Sequence, residues 1–347
     1  MRKLASIQMI WKIEPIEGAD RIELAHVLGW NCVVNKGQFR EKDLAVYFEV
    51  DSYLPIREEF EFLRKNCYKN TNVMGEGFKL RTQTFRKQIS QGLLLPISLF
   101  PDIGNDFNKG DDVTDILKVR EWQIEQKATS SGNIKSSLPY FIPHTDETRI
   151  QAEPNLLNEF KDLEYYISTK MDGSSHSVGV DEQGIHVTGH NYEYFDDDSS
   201  DFYKYLHEHN YVDSIISYHK EHGYDTFVIQ GEFCAPDIQK NRLRLIKPQW
   251  FVFTIYIDGK RIGLDEMIRI CQQLKLDMVP IEERGFSLPE IYPTVDSLLE
   301  RAKGEYPKGG RKEGIVIRPC IPIYCRLISA SLSMKAINNE YLLKNDD

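Results

Sequence analysis

The chain has 347 residues, 41% of them hydrophobic and 28% charged, and a formal net charge of −10. That size and composition predict a globular protein of two domains. The acidic balance excludes a chain that coats nucleic acid with a uniformly basic surface, while leaving room for a local basic groove. No run of about 18 apolar residues occurs, so no membrane-spanning helix is expected.

The start, MRKLASIQMIWKIEP, has a basic pair but no uninterrupted apolar stretch, so it does not read as a secretory signal. Residues 1 to about 118 read as short strands and turns. ELAHVLGWNCVVNKGQF gives two apolar runs broken at Gly29. DLAVYFEVDSYLP is a strand closed by a proline, and SQGLLLPISLF and GDDVTDIL follow it. Short strands at this spacing predict a small barrel rather than a helical domain. The opening IEPIEGADRIELAHV resembles the start of OB-fold modules that bind tRNA-like structures.

Between 119 and 148 the pattern changes, and QKATSSGNIKSSLP predicts a linker or mobile loop. Beyond it strands and helices mix. SSDFYKYLHEHNYVDSIISYHKEHG has a serine start, helical spacing and a terminal glycine, so it predicts a helix or a helix pair. DTFVIQGEF, QWFVFTIYIDGKRIG and EGIVIRP predict strands, the second turning at Asp258-Gly259. LDEMIRICQQLKL and VDSLLERAKG predict helices. The six cysteines (Cys32, Cys67, Cys234, Cys271, Cys320 and Cys325) are scattered without a CxxC pair, which predicts reduced thiols in the cytoplasm and no zinc site.

Several predicted strands end in groups that carry chemistry. Lys170 precedes Asp172 and Gly173 in KMDGSS; Glu232 lies in GEF; Phe253 lies in WFVFTIY; Glu313 lies in KEGIVIRP; Lys335 lies in SMKAIN. Taken alone, each has an ordinary reading: a solvated lysine, a turn aspartate, a strand-end ion pair, a core aromatic. Two basic stretches, KLRTQTFRK (79–87) and KNRLRLIK (240–247), are each a candidate phosphate contact or a solvated edge. His207 and His209 read as residues of an exposed amphipathic helix rather than metal ligands. There is no GxxxxGK(S/T), HExxH or GxSxG motif.

The ordered set from Lys170 to Lys335 resembles the lysine-dependent nucleotidyltransferases: RNA ligases, DNA ligases and mRNA capping enzymes. RIQ, KMDGSS, GEF, KEGIVIRP and SMKAINNEYLLK, with MRKLASI and GADRIELA at the start, are similar to ATP-dependent RNA ligases of the Deinococcus and Naegleria type. The resemblance implies an α+β protein. An N-terminal OB-like β-barrel (1–118) would be followed by a linker (119–148) and an adenylyltransferase domain of antiparallel sheets with flanking helices (149–347). It also implies sealing of 3′-OH and 5′-phosphate ends, with a preference for nicks whose 3′-OH strand is RNA. The cofactors would be ATP, with AMP carried on Lys170, and Mg²⁺ or Mn²⁺. The expected partner is RNA or a nicked RNA-containing duplex, bound by a monomer in the cytoplasm.

Within that reading Lys170 is the nucleophile. Attack on phosphorus needs a neutral amine, whereas a free lysine titrates near ~10.4, so a nearby cation and burial are expected to lower its pKa. Gly173 would let the chain turn away without crowding the nucleotide. Asp172 would hold the ribose or a metal-bound water, and Glu232 and Glu313 would gather the hydrated cation. Phe253 would stack on adenine, Lys335 would neutralise the α-phosphate, and Arg149 would meet a phosphate through its fork. Two positions depart from the family pattern: Ser333 replaces the first lysine of a KxK pair, which leaves the phosphate work to Lys335 alone or adds another cation such as Arg318, and His190 stands where an arginine is common. A capping guanylyltransferase, a DNA ligase and a non-catalytic nucleic-acid-binding protein are the alternatives.

Overall fold

Ala5–Pro15 is the longest strand, and its bend organises the N-terminal sheet. A bulge between Ile10 and Lys12 turns the strand, so its first half pairs with Leu44–Phe48 and its second with Ile22–Val27. Bulges of this kind increase local twist and let a sheet curl toward a barrel. The complete sheet runs Leu93–Pro96, Leu44–Phe48, Ala5–Pro15, Ile22–Val27, Trp30–Asn35, with antiparallel pairing throughout. Its curl encloses Ile7, Phe48, Phe60, Phe78 and Phe100 on one side and Trp30 and Tyr47 on the other. Phe48 meets Phe60 edge-on with ring centroids 5.3 Å apart, a favoured aromatic geometry.

The computed structural model describes residues 2–123 and 132–343. They fall into two units: one holds the described residues to 123 with 151–154 and 342–343, the other holds 132–150 and 155–341. In the first, DLAVYFEVDSYLP forms two strands rather than one. Asp51 adopts φ +66°, which breaks extended backbone, and Ser52–Leu54 then joins a second sheet beside Gly75–Lys79. GDDVTDIL forms no strand, only an isolated bridge between Asp112 and Ser6.

The second unit carries two larger antiparallel sheets and a two-stranded one, Tyr324–Cys325 with Ala330–Ser331. Seven strands run in the order Ile134–Ser137, Tyr192–Tyr194, Gly184–Thr188, Ser174–Asp181, Phe227–Cys234, Gln249–Ile257, Lys260–Arg261. Four more run Ile281–Phe286, Glu164–Lys170, Gly314–Pro319, Met334–Ile337. Residues 134–137, within the stretch read as a linker, thus form an edge strand. The predicted 200–223 helix is a pair, Asp201–Glu208 and Tyr211–His222. Ser200 caps the first by accepting the Tyr203 N–H, Asn210 at φ +56° breaks the run, and Gly223 at φ +66° ends it. These helices pack with Leu264–Leu274 on one face of the large sheet, over Phe202, Phe227, Phe233 and Trp250. The small sheet covers Phe160, Tyr165, Ile167, Ile315 and Met334. The Asp258-Gly259 turn forms as predicted, with φ +49° and +71°. The six cysteines are buried thiols, none of them in a disulfide. No helix of the described residues is long and apolar enough to cross a membrane.

Candidate active site

Lys170 ends a strand of the small sheet, and Ser174 begins a strand of the large one. KMDGSS is therefore the crossing between the two sheets. The strand alternates as a two-faced strand must: Tyr165 and Ile167 enter the small-sheet core, while Tyr166 packs into the helix-covered core. Lys170 is the last residue of the ladder, paired with Gly314. Gly314 follows Glu313, so register alone brings the lysine beside a carboxylate 143 residues away, with Nζ 2.9 Å from Glu313 Oε2. A cleft of about 180 Å³ opens there, lined by Lys170, Glu232, Phe253, His190, Arg318 and Lys335 among others.

Tyr306 locks this pairing from the backbone side. Its hydroxyl donates to the Lys170 carbonyl at 2.8 Å and accepts the Glu313 N–H at 3.2 Å. Nothing in the motif strings pointed to Tyr306. Its signal would have been an aromatic residue shortly before KEG, which by itself specifies no role.

Glu232 reaches the same centre from the large sheet. The Gly173 N–H donates to its Oε1 at 3.1 Å. Gly173 is needed for close approach rather than for turning freedom, because a Cβ there would lie 2.5 Å from the Phe233 carbonyl oxygen and 2.6 Å from Cys234 Sγ. Gly173→Ala is expected to push the crossing away from Glu232, costing about 1–3 kcal/mol of stability as an overpacked site does. Thermal unfolding and adenylylation rate measured together check this; unchanged values for both would show that the neighbours yield freely.

The charges are unevenly matched. Burial disfavours a charge on Lys170, yet Glu313, Glu232 and Asp172 together override it and raise its pKa above the usual lysine value. This reverses the expected lowering: with the carboxylates uncompensated, the lysine stays protonated. Burial pushes Glu232 up to about 7, with Lys170 opposing and Glu313 reinforcing the shift. Lys335 moves the other way, down to about 8, through burial and the positive charges of Lys170 and Arg149. Arg149 runs beside Lys335 as a parallel bridge, with the Ile150 N–H donating to the Lys335 carbonyl at 3.0 Å.

Two part-buried carboxylates facing one ammonium form a centre with room for a further positive charge, and this donor set suits a divalent cation. Among the described residues no three His, Cys, Asp or Glu side chains gather as a metal-holding group. A cation held by Glu232 and Glu313 would therefore keep water in its shell, as Mg²⁺ commonly does. Asp172 is turned elsewhere: Arg242 donates to its Oδ2 at 2.6 Å and the Tyr341 hydroxyl to its Oδ1 at 2.9 Å. The guanidinium of Arg242 also lies over the Tyr341 ring, 4.5 Å from its centroid. Arg242 belongs to the basic stretch 240–247, so this cation meets a carboxylate of the site.

Phe253 lines the cleft, with Arg318 donating to its carbonyl. Arg318 also donates to Ser333 Oγ at 3.2 Å and pairs with Glu147. Ser333 is thereby an anchor for the arginine, whose charge is matched by Glu147. Arg261 lies 3.4 Å from the same glutamate. Glu147 is held down to about 2: burial opposes ionisation, and Arg318 and Arg261 outweigh it. His190 lies at the cleft beside Thr145 and Asp146, with ring nitrogens 3.5 and 3.7 Å from their oxygens. His207 pairs with Asp196, and His209 packs on Tyr205 and Tyr211. In the other basic stretch, Lys79 sits over the Trp122 ring, and Arg86 and Lys87 form an exposed turn at positive φ.

Residues 163–337 match the family described as RNA ligase, and residues 4–97 match one described as an OB-fold domain. Among solved structures, the chain is similar to Naegleria gruberi RNA ligase with pyrophosphate, at 30% identity and a TM-score of 0.87, over 99% of this chain and 98% of that one. A glutamate-to-alanine variant of that ligase with ATP and Mn matches at 31% identity and a TM-score of 0.88, over 100% of both chains. A lysine-to-methionine variant with AMP and Mn matches at 30% and 0.88, over 98% of both. No curated protein matches the chain.

Proposed function

The chain belongs to the RNA ligase family, and from that premise we propose that it seals 3′-OH and 5′-phosphate ends by way of a covalent lysyl-AMP. The observation that carries this reading is Lys170 at the sheet crossing, 2.9 Å from Glu313, with Glu232 and Lys335 lining the same cleft. Lys170 Nζ attacks the α-phosphorus of ATP, an N–P bond forms, and the bond to pyrophosphate breaks. AMP then passes to the 5′-phosphate of the nucleic acid, releasing the lysine. The 3′-OH finally attacks that phosphate, and AMP leaves.

The nucleophile must first lose the proton that its carboxylates hold on it. Glu232 and Glu313 would hold a divalent cation, Mg²⁺ or Mn²⁺, which would supply counter-charge to them and to the phosphates. With their field offset, Lys170 would be held less firmly in the protonated form. Lys335 faces the opposite demand. Its proton affinity is depressed, and an incoming phosphate would restore it, so its charge is strongest when the nucleotide is present. Phe253 offers a face to the base, and Arg149 a fork to a phosphate. The N-terminal barrel, residues 1–118, would hold the duplex by its phosphates while 149–347 carries the chemistry. The substrate is a nick with RNA on its 3′-OH side.

An end-joining panel tests this. Label from the α-phosphate of ATP, but not of GTP, should remain on the denatured protein, stable to alkali and lost in acid as an N–P bond is, and nicks with a ribose 3′-OH strand should seal faster than all-DNA nicks. Labelling by GTP would favour a capping enzyme, fastest sealing of all-DNA nicks a DNA ligase, and no labelling by either nucleotide a non-catalytic binding protein.

A further inference from the structure

Beside the cleft lies a charged cluster that shares only Thr169 with its lining. Its centre is Glu282, on the strand Ile281–Phe286 next to the lysine strand. Three groups converge on its carboxylate. The Thr169 hydroxyl donates at 2.7 Å, Lys312 Nζ lies 2.8 and 2.9 Å from its two oxygens, and Arg301 Nη1 donates at 2.7 Å. Thr169 immediately precedes Lys170, and Lys312 immediately precedes Glu313. One side chain therefore holds both residues that come directly before the Lys170–Glu313 pair.

Alternation explains the arrangement. Successive residues of extended chain point to opposite faces. The Lys170 and Glu313 side chains meet each other, while those of Thr169 and Lys312 turn the other way and meet Glu282. The ladder between Glu164–Lys170 and Ile281–Phe286 shifts register at Ile167/Ser168 and ends at Ile281, and beyond it the Thr169 N–H donates to the Pro280 carbonyl. Lys312 is only 6% exposed, so its charge needs this carboxylate. Arg301 continues to Glu283, which also accepts from Tyr165 and Tyr292 and so fixes the cluster to the small-sheet core.

We propose that Glu282 is a positioning residue for the Lys170–Glu313 pair, acting through Thr169 and Lys312. It clamps the rear of both strands, so that the front side chains meet at one separation and one angle. This rests on the reading of Lys170 as the nucleophile. A displacement of about 1 Å at a reacting group can cost about a hundredfold in rate, and that loss falls on turnover rather than on nucleotide affinity.

The test is a double-mutant cycle on the full chain, following adenylylation by ATP with Mn²⁺, with thermal unfolding measured in parallel. Thr169→Val removes one arm of the clamp and keeps the ion cluster. It should lower kcat about tenfold, and Glu282→Gln should lower it about a hundredfold, with KM for ATP within about threefold of wild type in both. Because both act through one contact, the double variant should be no slower than Glu282→Gln alone. Losses that multiply, a wild-type rate in Glu282→Gln, or a KM that rises as kcat falls would each overturn the proposal. If Glu282→Gln does not fold, Thr169→Val decides, and a wild-type kcat there overturns it. A folded wild-type protein that forms no adduct at all brings down the Lys170 reading itself, and this proposal with it.

Discussion

Lys170→Ala is expected to abolish the covalent AMP adduct while leaving the protein folded. The side chain ends a strand at the cleft and packs in no core cluster, so its removal empties no apolar site. What it does remove is the positive charge between Glu232 and Glu313. Glu232 already holds its proton up to about pH 7, and without the lysine it would hold it more firmly. Near neutral pH the centre can therefore absorb the change by protonation instead of unfolding. Sealing of a nick that already carries a 5′-AMP needs no attack by Lys170 and should persist, more weakly. Intact-protein mass after incubation with ATP and Mn²⁺ gives the first result, and a pre-adenylylated nick gives the second. An adduct of undiminished yield would mean that another residue is the nucleophile.

Glu313→Gln should lower adenylylation by about a hundredfold or more. Two effects oppose each other. Loss of the carboxylate charge removes a cause of the raised Lys170 pKa, and each unit of downward shift is worth at most about tenfold in neutral amine. Against that, the variant loses the contact that fixes Nζ and one of two carboxylates able to hold a cation, and cation stabilisation at phosphorus is worth several kcal/mol. The loss wins. Glu232→Gln should behave alike, with the added disturbance of the Gly173 N–H contact. Both deficits should narrow as Mn²⁺ is raised, since mass action offsets weaker binding. Rates measured across a metal titration check this, and a wild-type rate at limiting Mn²⁺ would make that carboxylate structural.

The groups with a local signature were legible before any coordinates. KMDG, GEF, KEG and SMK each place a charged residue at the end of a β-rich run, and the structure brings Lys170, Glu232 and Lys335 to one cleft, with Glu313 2.9 Å from the lysine. The barrel was legible in the same way, from short apolar runs at regular spacing. What stayed hidden is set by pairing between strands far apart in sequence. Glu282 meets Thr169 across 113 residues and Tyr306 meets Lys170 across 136, and no local pattern announces such partners. Asp172 read as a site residue from its motif, but its engagement by Arg242 and Tyr341 depends on where two distant segments return. The direction of the Lys170 pKa was misread for a related reason. The sequence displays the carboxylates without their distances, and at 2.9 Å attraction outweighs burial.

The most direct test of the central claim is peptide mapping of the wild-type protein after incubation with ATP and Mn²⁺. The account predicts a single AMP on the peptide that contains Lys170, stable to alkali and labile to acid as an N–P bond is, and discharged when a 5′-phosphorylated nick is added to the intact protein. AMP on any other residue, or an adduct at Lys170 that the nick cannot discharge, would contradict it.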